Sequence, residues 1–246
     1  MKLLIDAGNT RIKWALVKDD GVWLRQGILP VGQAGELHGQ LSDSQRIRQI
    51  WVSNVAGDEI AHHIRNINTG QPVRPAFIIA QENQCGVRNG YQSAAQLGSD
   101  RWAALIAAWH LVQAQCLVVN CGTAITIDAL SGRGEFIGGL IMPGMDLMQR
   151  SLSGATDQLK PRNTEPWQGK YAQFPLNTAD ALFSGSIQAA CGAIQRQHAL
   201  LADAQAPVVL SGGAAELLKN YINLPLRVVD NLVLQGILII SQESNA

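Results

Sequence analysis

The sequence predicts an α/β protein made of two like halves. Three observations predict it. Short apolar runs with strand character alternate with helical patterns along the 246-residue chain, the signature of layered α/β architecture. The opening stretch Leu4-Ile5-Asp6-Ala7-Gly8-Asn9-Thr10 has a near-copy in Val118-Val119-Asn120-Cys121-Gly122-Thr123-Ala124, superposable without a gap. Each copy leads into an alternating apolar strand and then a third strand, and such repetition marks architecture before it marks anything else. Finally, 47% hydrophobic residues against 15% charged ones supply a substantial core. The repeat divides the chain into an expected N-terminal domain of residues 1–114 and a C-terminal domain of 115–246.

The first strand runs from Leu3 to Ile5 and stops on Asp6. A polar corner at 6–10 returns the chain into Ile12, Trp14 and Leu16, a hairpin pattern. Residues 22–28 make a third strand, and the polar stretch 32–50, with spaced Leu and Ile, includes a helix. Ile50-Trp51-Val52 is a short strand ending in Ser53-Asn54. Ile60, Ile64 and Ile67 line one face of a helix over 58–67, and 75–80 is a buried strand. Residues 85–97 read as irregular. A helix over 102–115 follows, capped by Ser99 or Asp100, whose short oxygens can satisfy its first N–H groups. Strands at 116–119, 125–130 and 134–141 form the second meander. Pro143 opens a helix to 152. Residues 154–175 carry three prolines and little periodicity, so they read as one long loop. The chain closes with a helix over 178–201, a strand at 208–210 entering Ser211-Gly212-Gly213, a helix to 220, a strand at 226–229 and a helix over 232–241.

Chemistry concentrates at the corners. Alone, the 6–10 corner is an ordinary turn, for which Gly and Asn suit. An acid at the end of a buried strand is unfavourable, however, unless a cation such as Mg²⁺-phosphate meets it. Glycine, backbone N–H groups and a Thr hydroxyl form a concave donor surface for phosphate oxygens. The copy at 120–124 and the Gly-rich corner at 211–213 then form a set, and together they point to nucleotide binding. Other classes are excluded. Zero net charge offers no footprint for nucleic acid. No run of 18 apolar residues occurs, and Asp6 interrupts the first apolar stretch, so neither a membrane span nor an export signal is expected. Cys85, Cys116, Cys121 and Cys191 lack paired spacing and are expected to be reduced thiols in a cytoplasmic protein. His62-His63 falls on the polar side of its helix and is expected to be solvated. The tryptophans, including Trp14, Trp102 and Trp109, fall on apolar positions.

Beyond these patterns, the chain resembles the acetate and sugar kinase, chaperone ATPase and actin superfamily, and within it the type III pantothenate kinases. The resemblance is carried by Asp6-Ala7-Gly8-Asn9-Thr10, Val87-Arg88-Asn89-Gly90-Tyr91, Gly98-Ser99-Asp100-Arg101-Trp102, Cys121-Gly122-Thr123-Ala124 with Thr126, Gly138-Gly139 with Pro143-Gly144, Asn177-Thr178 and Ser211-Gly212-Gly213, in the family's order. It implies two duplicated ribonuclease H-like domains of the actin-like ATPase fold with a nucleotide cleft between them. It implies ATP-dependent phosphorylation of pantothenate, the first step towards coenzyme A, with Asp100 as proton acceptor. By the same resemblance Asp6, Ala7, Gly8, Asn9, Thr10, Arg11, Ile12 and Lys13 form the first phosphate motif, while Thr123, Gly212 and Gly213 meet ATP from the second half. Tyr91, Gly98, Ser99, Asp100, Arg101 and Thr178 line the pantothenate pocket of a homodimer whose partner subunit helps close it.

The residues suit that chemistry. Phosphoryl transfer needs positioned phosphates, a metal and an acceptor for the hydroxyl proton. Asp6 can hold Mg²⁺ through water beside the phosphates, and Asp100 can take the proton. Arg101 offers a planar fork to a carboxylate, which pantothenate has and most sugars lack. Read without the resemblance, Asp100-Arg101 is a helix cap with a surface ion pair, and Thr178 is a helix N-cap helped by Asp180. One position departs from the family: Asn120 stands where it usually has an Asp ligand for K⁺ or NH₄⁺, so weak or absent monovalent-cation dependence is expected. The competing readings are a kinase for another small acid or sugar and a nucleotide-binding regulator without turnover, although no helix-turn-helix or basic patch supports the latter.

Overall fold

The computed structural model describes residues 1–41, 47–67, 72–155 and 169–243, so most of the loop expected over 154–175 lies outside the described residues. Packing divides the chain into two compact units. One comprises Met1–Gln113, Gly134–Ile137 and Asn231–Ala246; the other comprises Ala114–Arg133 and Gly138–Asp230.

In the first unit β1 (Lys2–Ala7), β2 (Arg11–Val17) and β3 (Trp23–Pro30) form an antiparallel meander. Parallel strands β4 (Gln49–Asn54) and β5 (Pro75–Phe77) extend it to the order β3-β2-β1-β4-β5. Side chains alternate across a strand. Leu3, Ile5 and Ala7 therefore join Ile12, Trp14 and Val52 in a core closed by the 3₁₀ segment Val31–Gln40 and by α1 (Asp58–Arg65). Lys2, Leu4 and Asp6 face the other way. There Lys2 Nζ donates to the Ser241 carbonyl at 2.9 Å, in the last turn of α6 (Leu232–Glu243), where a cation suits the helix's carbonyl end. The α6 helix packs on α2 (Ser99–Val112) so closely that a Cβ at Gly236 would lie 1.8 Å from the Ala103 carbonyl oxygen. Asp6 thus occupies the α2 face of its strand.

Residues 85–97, expected to be irregular, contain order. Strands β6 (Asn83–Gln84) and β7 (Val87–Asn89) form a hairpin, followed by the 3₁₀ turn Ala94–Gln96. Its two-residue corner, Cys85-Gly86, has φ values of 50° and 78°. Both residues are therefore left-handed, as a tight hairpin corner demands. The strained cysteine is held on all sides. Its N–H donates to Glu243 Oε1 at 2.9 Å, and its carbonyl lies 3.0 Å from His110 Nε2. The start of β10 (Glu135–Pro143) runs parallel to β7, pairing Glu135 with Arg88 and Phe136 with Asn89.

The second unit repeats the first. Its strands β8 (Cys116–Cys121), β9 (Ala124–Leu130), β11 (Val208–Ser211) and β12 (Leu226–Val228), with the rest of β10, stand in the order β12-β11-β8-β9-β10. This is the first sheet's order. β8 has the same burial sequence as β1, with Asn120 partly exposed as Asp6 is. The corner hydrogen bonds repeat as well. Val55 N–H donates to the Ala7 carbonyl and Ala214 N–H to that of Cys121; Val31 N–H donates to the Thr10 carbonyl and Gly144 N–H to that of Thr123. The copies differ by one residue at the turn. Gly8 N–H closes on Arg11, whereas Gly122 N–H closes on Ala124. The gapless match therefore ends inside the corner. In both copies a proline ends the third strand, so Pro143 closes β10 instead of opening α3 (Met145–Ala155). Having no N–H, it sits where the ladder can spare one. The long α4 (Thr178–Leu200) packs Ile187, Ala190 and Ile194 against Leu117, Val119 and Cys121, beside short α5 (Ala215–Leu218). Among the described residues no helix is long and apolar enough to cross a membrane.

Candidate functional site

The first phosphate corner presents polar groups outward and anchors its apolar ones. Asn9, Thr10 and Arg11 are exposed, whereas Ala7 and Ile12 are fully buried in the core. Those two can offer a nucleotide only backbone. Asp6 pairs across the hairpin with Lys13 and alongside Ser53 of β4. Its carboxyl is pushed up to about 7, first by burial and second by the charge of Asp100, with Lys13 opposing. Two acids far apart in sequence are thus near enough for the charge of one to act on the other in a weakly solvated place. That arrangement is unfavourable empty and suits a hard cation with its oxygen ligands. Among the described residues no three His, Cys, Asp or Glu side chains group as a metal cage. A divalent cation here would be held by the Asp6 carboxylate with waters and phosphate oxygens completing its shell.

Asp100 reaches this place because of how α2 begins. The cap is Gly98, which makes no side-chain cap bond; Ser99 and Asp100, expected as caps, are the first two helical residues. Ser99 Oγ instead pairs with Ser53 Oγ at 2.9 Å, both buried, tying the α2 start to the strand beside Asp6. Asp100 folds back so that Oδ1 accepts the Arg101 N–H at 2.8 Å. A Cβ on residue 98 would lie 2.7 Å from that oxygen, so a side chain there would press on the Asp100 carboxylate. Burial raises the Asp100 carboxyl above its ordinary value; the backbone N–H bonds and the Arg101 charge pull it back down.

Arg101 is no surface partner. It is 6% exposed, and its Nη1 donates to Tyr91 Oη at 2.8 Å. Its Cζ lies 5.7 Å from the ring centres of both Tyr91 and Phe136. Tyr91 is set by Asn89, whose Oδ1 accepts the Tyr91 N–H at 3.0 Å while Nδ2 donates to the Ala94 carbonyl. Sequence reasoning missed Ser53, Asn89 as a support and Phe136. Ser53 had a signal, since it corresponds to Ser211 in the repeat; Phe136 had none.

In the second unit, Thr123 is exposed at its corner, with its carbonyl accepting Gly144 N–H at 2.8 Å. Gly212 has φ 100°, and a Cβ there would fall 2.5 Å from the Cys121 carbonyl, so no side chain fits. Gly213 faces open space. Asn120 sits opposite Thr126 and beside Ser211. The α4 cap is Asn177, not Thr178: Asn177 Oδ1 accepts Asp180 N–H at 2.9 Å, and Asp180 Oδ2 accepts from Asn177 Nδ2 at 2.7 Å. This reciprocal box leaves the Thr178 hydroxyl out of capping. Thr178 lines a pocket of about 910 Å³ with Leu176, Leu182 and Ser186. His62 and His63 are exposed, and Trp14 and Trp102 are buried, as expected.

Comparison with known proteins gives this geometry a context. A family profile described as type III pantothenate kinase matches residues 2–199. A type III pantothenate kinase of Nitrosospira multiformis is 45% identical over 246 residues, covering 99% of this chain and 92% of that protein. One from Aromatoleum aromaticum is 44% identical, with both chains fully covered. Among solved structures, a Campylobacter jejuni protein described as of the Baf family of transcriptional activators superposes with TM-score 0.60 at 24% identity, covering 99% of this chain and 100% of that one. A Sinorhizobium meliloti protein described as a 2-dehydro-3-deoxygalactonokinase superposes with TM-score 0.57 at 15% identity, covering 100% and 99%. Likeness at such identity speaks to the fold alone, here the two-sheet fold of sugar kinases and actin-like ATPases.

Proposed function

The chain belongs to the type III pantothenate kinase family, and from that premise we propose how its residues perform the reaction. The enzyme phosphorylates pantothenate with ATP, the first step of coenzyme A biosynthesis. The substrate's primary hydroxyl attacks the γ-phosphorus and a new P–O bond forms. The bond to the β-phosphate oxygen breaks, and its electron pair leaves with ADP. The hydroxyl proton passes to Asp100. A carboxylate made more basic by burial is the better acceptor, provided it stays ionised at the working pH. What supports this role is that the Asp100 charge acts on the Asp6 carboxyl, so the two acids lie within electrostatic reach of one another.

Asp6 to Lys13 hold the phosphates, with Asn9, Thr10 and the Arg11 and Lys13 cations turned to them, and Thr123, Gly212 and Gly213 contact the nucleotide. Asp6 holds Mg²⁺ through water, and that ion would offset phosphate charge as it moves. Arg101, with Tyr91, receives the pantothenate carboxylate; Gly98, Ser99 and Thr178 are the remaining substrate-binding residues of this reading. Asn120 supplies an oxygen without charge, a poor site for K⁺ or NH₄⁺. The enzyme is a cytoplasmic homodimer. Ile141, Phe174 and Leu176 are 65%, 87% and 98% exposed in the second unit, apolar side chains that a second subunit would cover.

A coupled assay of ATP consumption with and without pantothenate tests the reading. Consumption should require pantothenate, and Asp100→Asn should abolish it while ATP still binds. Wild-type protein that binds ATP without phosphorylating pantothenate would make this a regulator; full activity in Asp100→Asn would remove Asp100 from the chemistry.

A further inference from the structure

We propose that Ser53 is a positioning residue for the proton acceptor Asp100, acting through Ser99. This rests on Asp100 as the acceptor of the hydroxyl proton. Proton transfer needs the acceptor within hydrogen-bond reach of the attacking hydroxyl, so the placement of one carboxyl bears directly on the rate. Asp100 stands in the first turn of α2, with Oδ1 accepting the Arg101 N–H at 2.8 Å. That bond lies within the turn and moves with it. Gly98, the cap, has no side chain to fasten the turn to its surroundings. Further along, Trp102 Nε1 donates to Gln84 Oε1 at 2.8 Å and Ala103 packs on Gly236, contacts that lead to the β6–β7 hairpin and to α6. The Ser99 bond leads instead to the sheet that carries the first phosphate corner.

Ser53 is fully buried in β4 and stands in register beside Asp6 of β1. Side chains in register on neighbouring strands point to the same face, so Ser53 shares the α2 face with Asp6. Its Oγ lies 2.9 Å from Ser99 Oγ, and Ser99 is 8% exposed. A hydroxyl pair shut away from water holds its geometry, because opening the bond strands both partners. One bond thus links the residue beside Asp6 to the residue preceding Asp100. It sets the start of α2 against the strand end where the phosphates are held.

The test is a kinetic double-mutant cycle on Ser53→Ala, Ser99→Ala and the double variant, with Asp100→Asn alongside and a melting curve for each. Single-turnover phosphoryl transfer at saturating ATP and pantothenate reads the chemical step. Ser53→Ala should slow it about tenfold, inside the roughly hundredfold cost of misplacing a reacting group by about 1 Å, with KM for ATP unmoved. In the Ser99→Ala background the same change should slow it no further, whatever Ser99 itself contributes. A purely structural serine would lower the melting temperature and leave the folded protein's rate, measured well below that temperature, untouched. That outcome would overturn the proposal, as would equal slowing in both backgrounds, which would make Ser53 act apart from Ser99. Should Ser53→Ala fold poorly, Ser53→Cys keeps the shape with a weaker donor. It should slow transfer when Ser99 is present and not in Ser99→Ala, and a wild-type rate would again overturn the proposal. Asp100→Asn isolates the premise. If it retains turnover, Asp100 is not the acceptor; if it loses turnover while Ser53→Ala transfers at the wild-type rate, only the role of Ser53 falls.

Discussion

Asp6→Asn should make the magnesium-free protein more stable at alkaline pH while disabling the enzyme. The Asp6 carboxyl is displaced from 3.8 to about 7 by burial and by Asp100. The folded state therefore holds a proton that the unfolded chain has released across the window from pH 3.8 to 7. Stability contributed by that proton is complete below the window, falls as pH rises through it, and stays lost above. At about 1.4 kcal/mol per pH unit the full effect is roughly 4 kcal/mol, and water reaching this partly exposed group reduces it to about 2–3 kcal/mol. Asparagine keeps the shape and never ionises. Ligand-free Asp6→Asn should thus melt roughly 4–10 °C above the wild type at pH 8, with the gap closing towards pH 4.5. The variant's turnover should fall by two orders of magnitude or more, the scale seen when one transition-state contact to developing charge is deleted. Calorimetry or dye-monitored melts in EDTA at several pH values give the measurement. A variant that melts with the wild type at pH 8, or below it, would refute the claim that an ionised Asp6 strains the empty site.

Three further outcomes follow from the same geometry. Turnover should be equal in sodium and potassium buffers, and Asn120→Asp should introduce potassium stimulation; strong stimulation of the wild type would contradict the assignment at Asn120. Ser53→Ala should cost about 1–3 kcal/mol by stranding the Ser99 hydroxyl, and Ser53→Ala with Ser99→Ala should recover part of it, as a denaturant double-mutant cycle would detect. Lys2→Met should lower stability by about 1–3 kcal/mol, because the Ser241 carbonyl and hydroxyl lose their buried donor; an unchanged urea midpoint would show that water serves them as well.

The two meanders were readable because their information is local: period-two alternation, a polar corner, a proline at the third strand's end. The repeat carried further, since like strand ends need like neighbours, and Ser53 could have been found from Ser211. What escaped the sequence is what depends on distant partners. A hairpin of two- and three-residue strands has too little periodicity to register, and its corner uses a cysteine where a glycine would have announced it. Phe136 sits on a recognisable strand, but its meeting with Tyr91 and Arg101 exists only through pairing with β7. The choice of Asn177 over Thr178 as a cap turned on one residue of helix register. The Gly98 cap was hidden because two better capping residues follow it, each engaged elsewhere.

The return of α6 to the first unit sets the order in which a growing chain can become an enzyme. The second unit is complete once residue 230 has emerged, whereas the sheet holding Asp6 and the helix holding Asp100 await residues 231–246. Until then the face of β1 that carries Lys2 and Asp6 lacks its cover, and α2 lacks the helix that meets Ala103 at Gly236. Domains otherwise tend to fold in the order of synthesis. Here the half that begins at the N-terminus matures last, and a ribosome-bound chain carries Asp6 and Asp100 without the scaffold that aligns them.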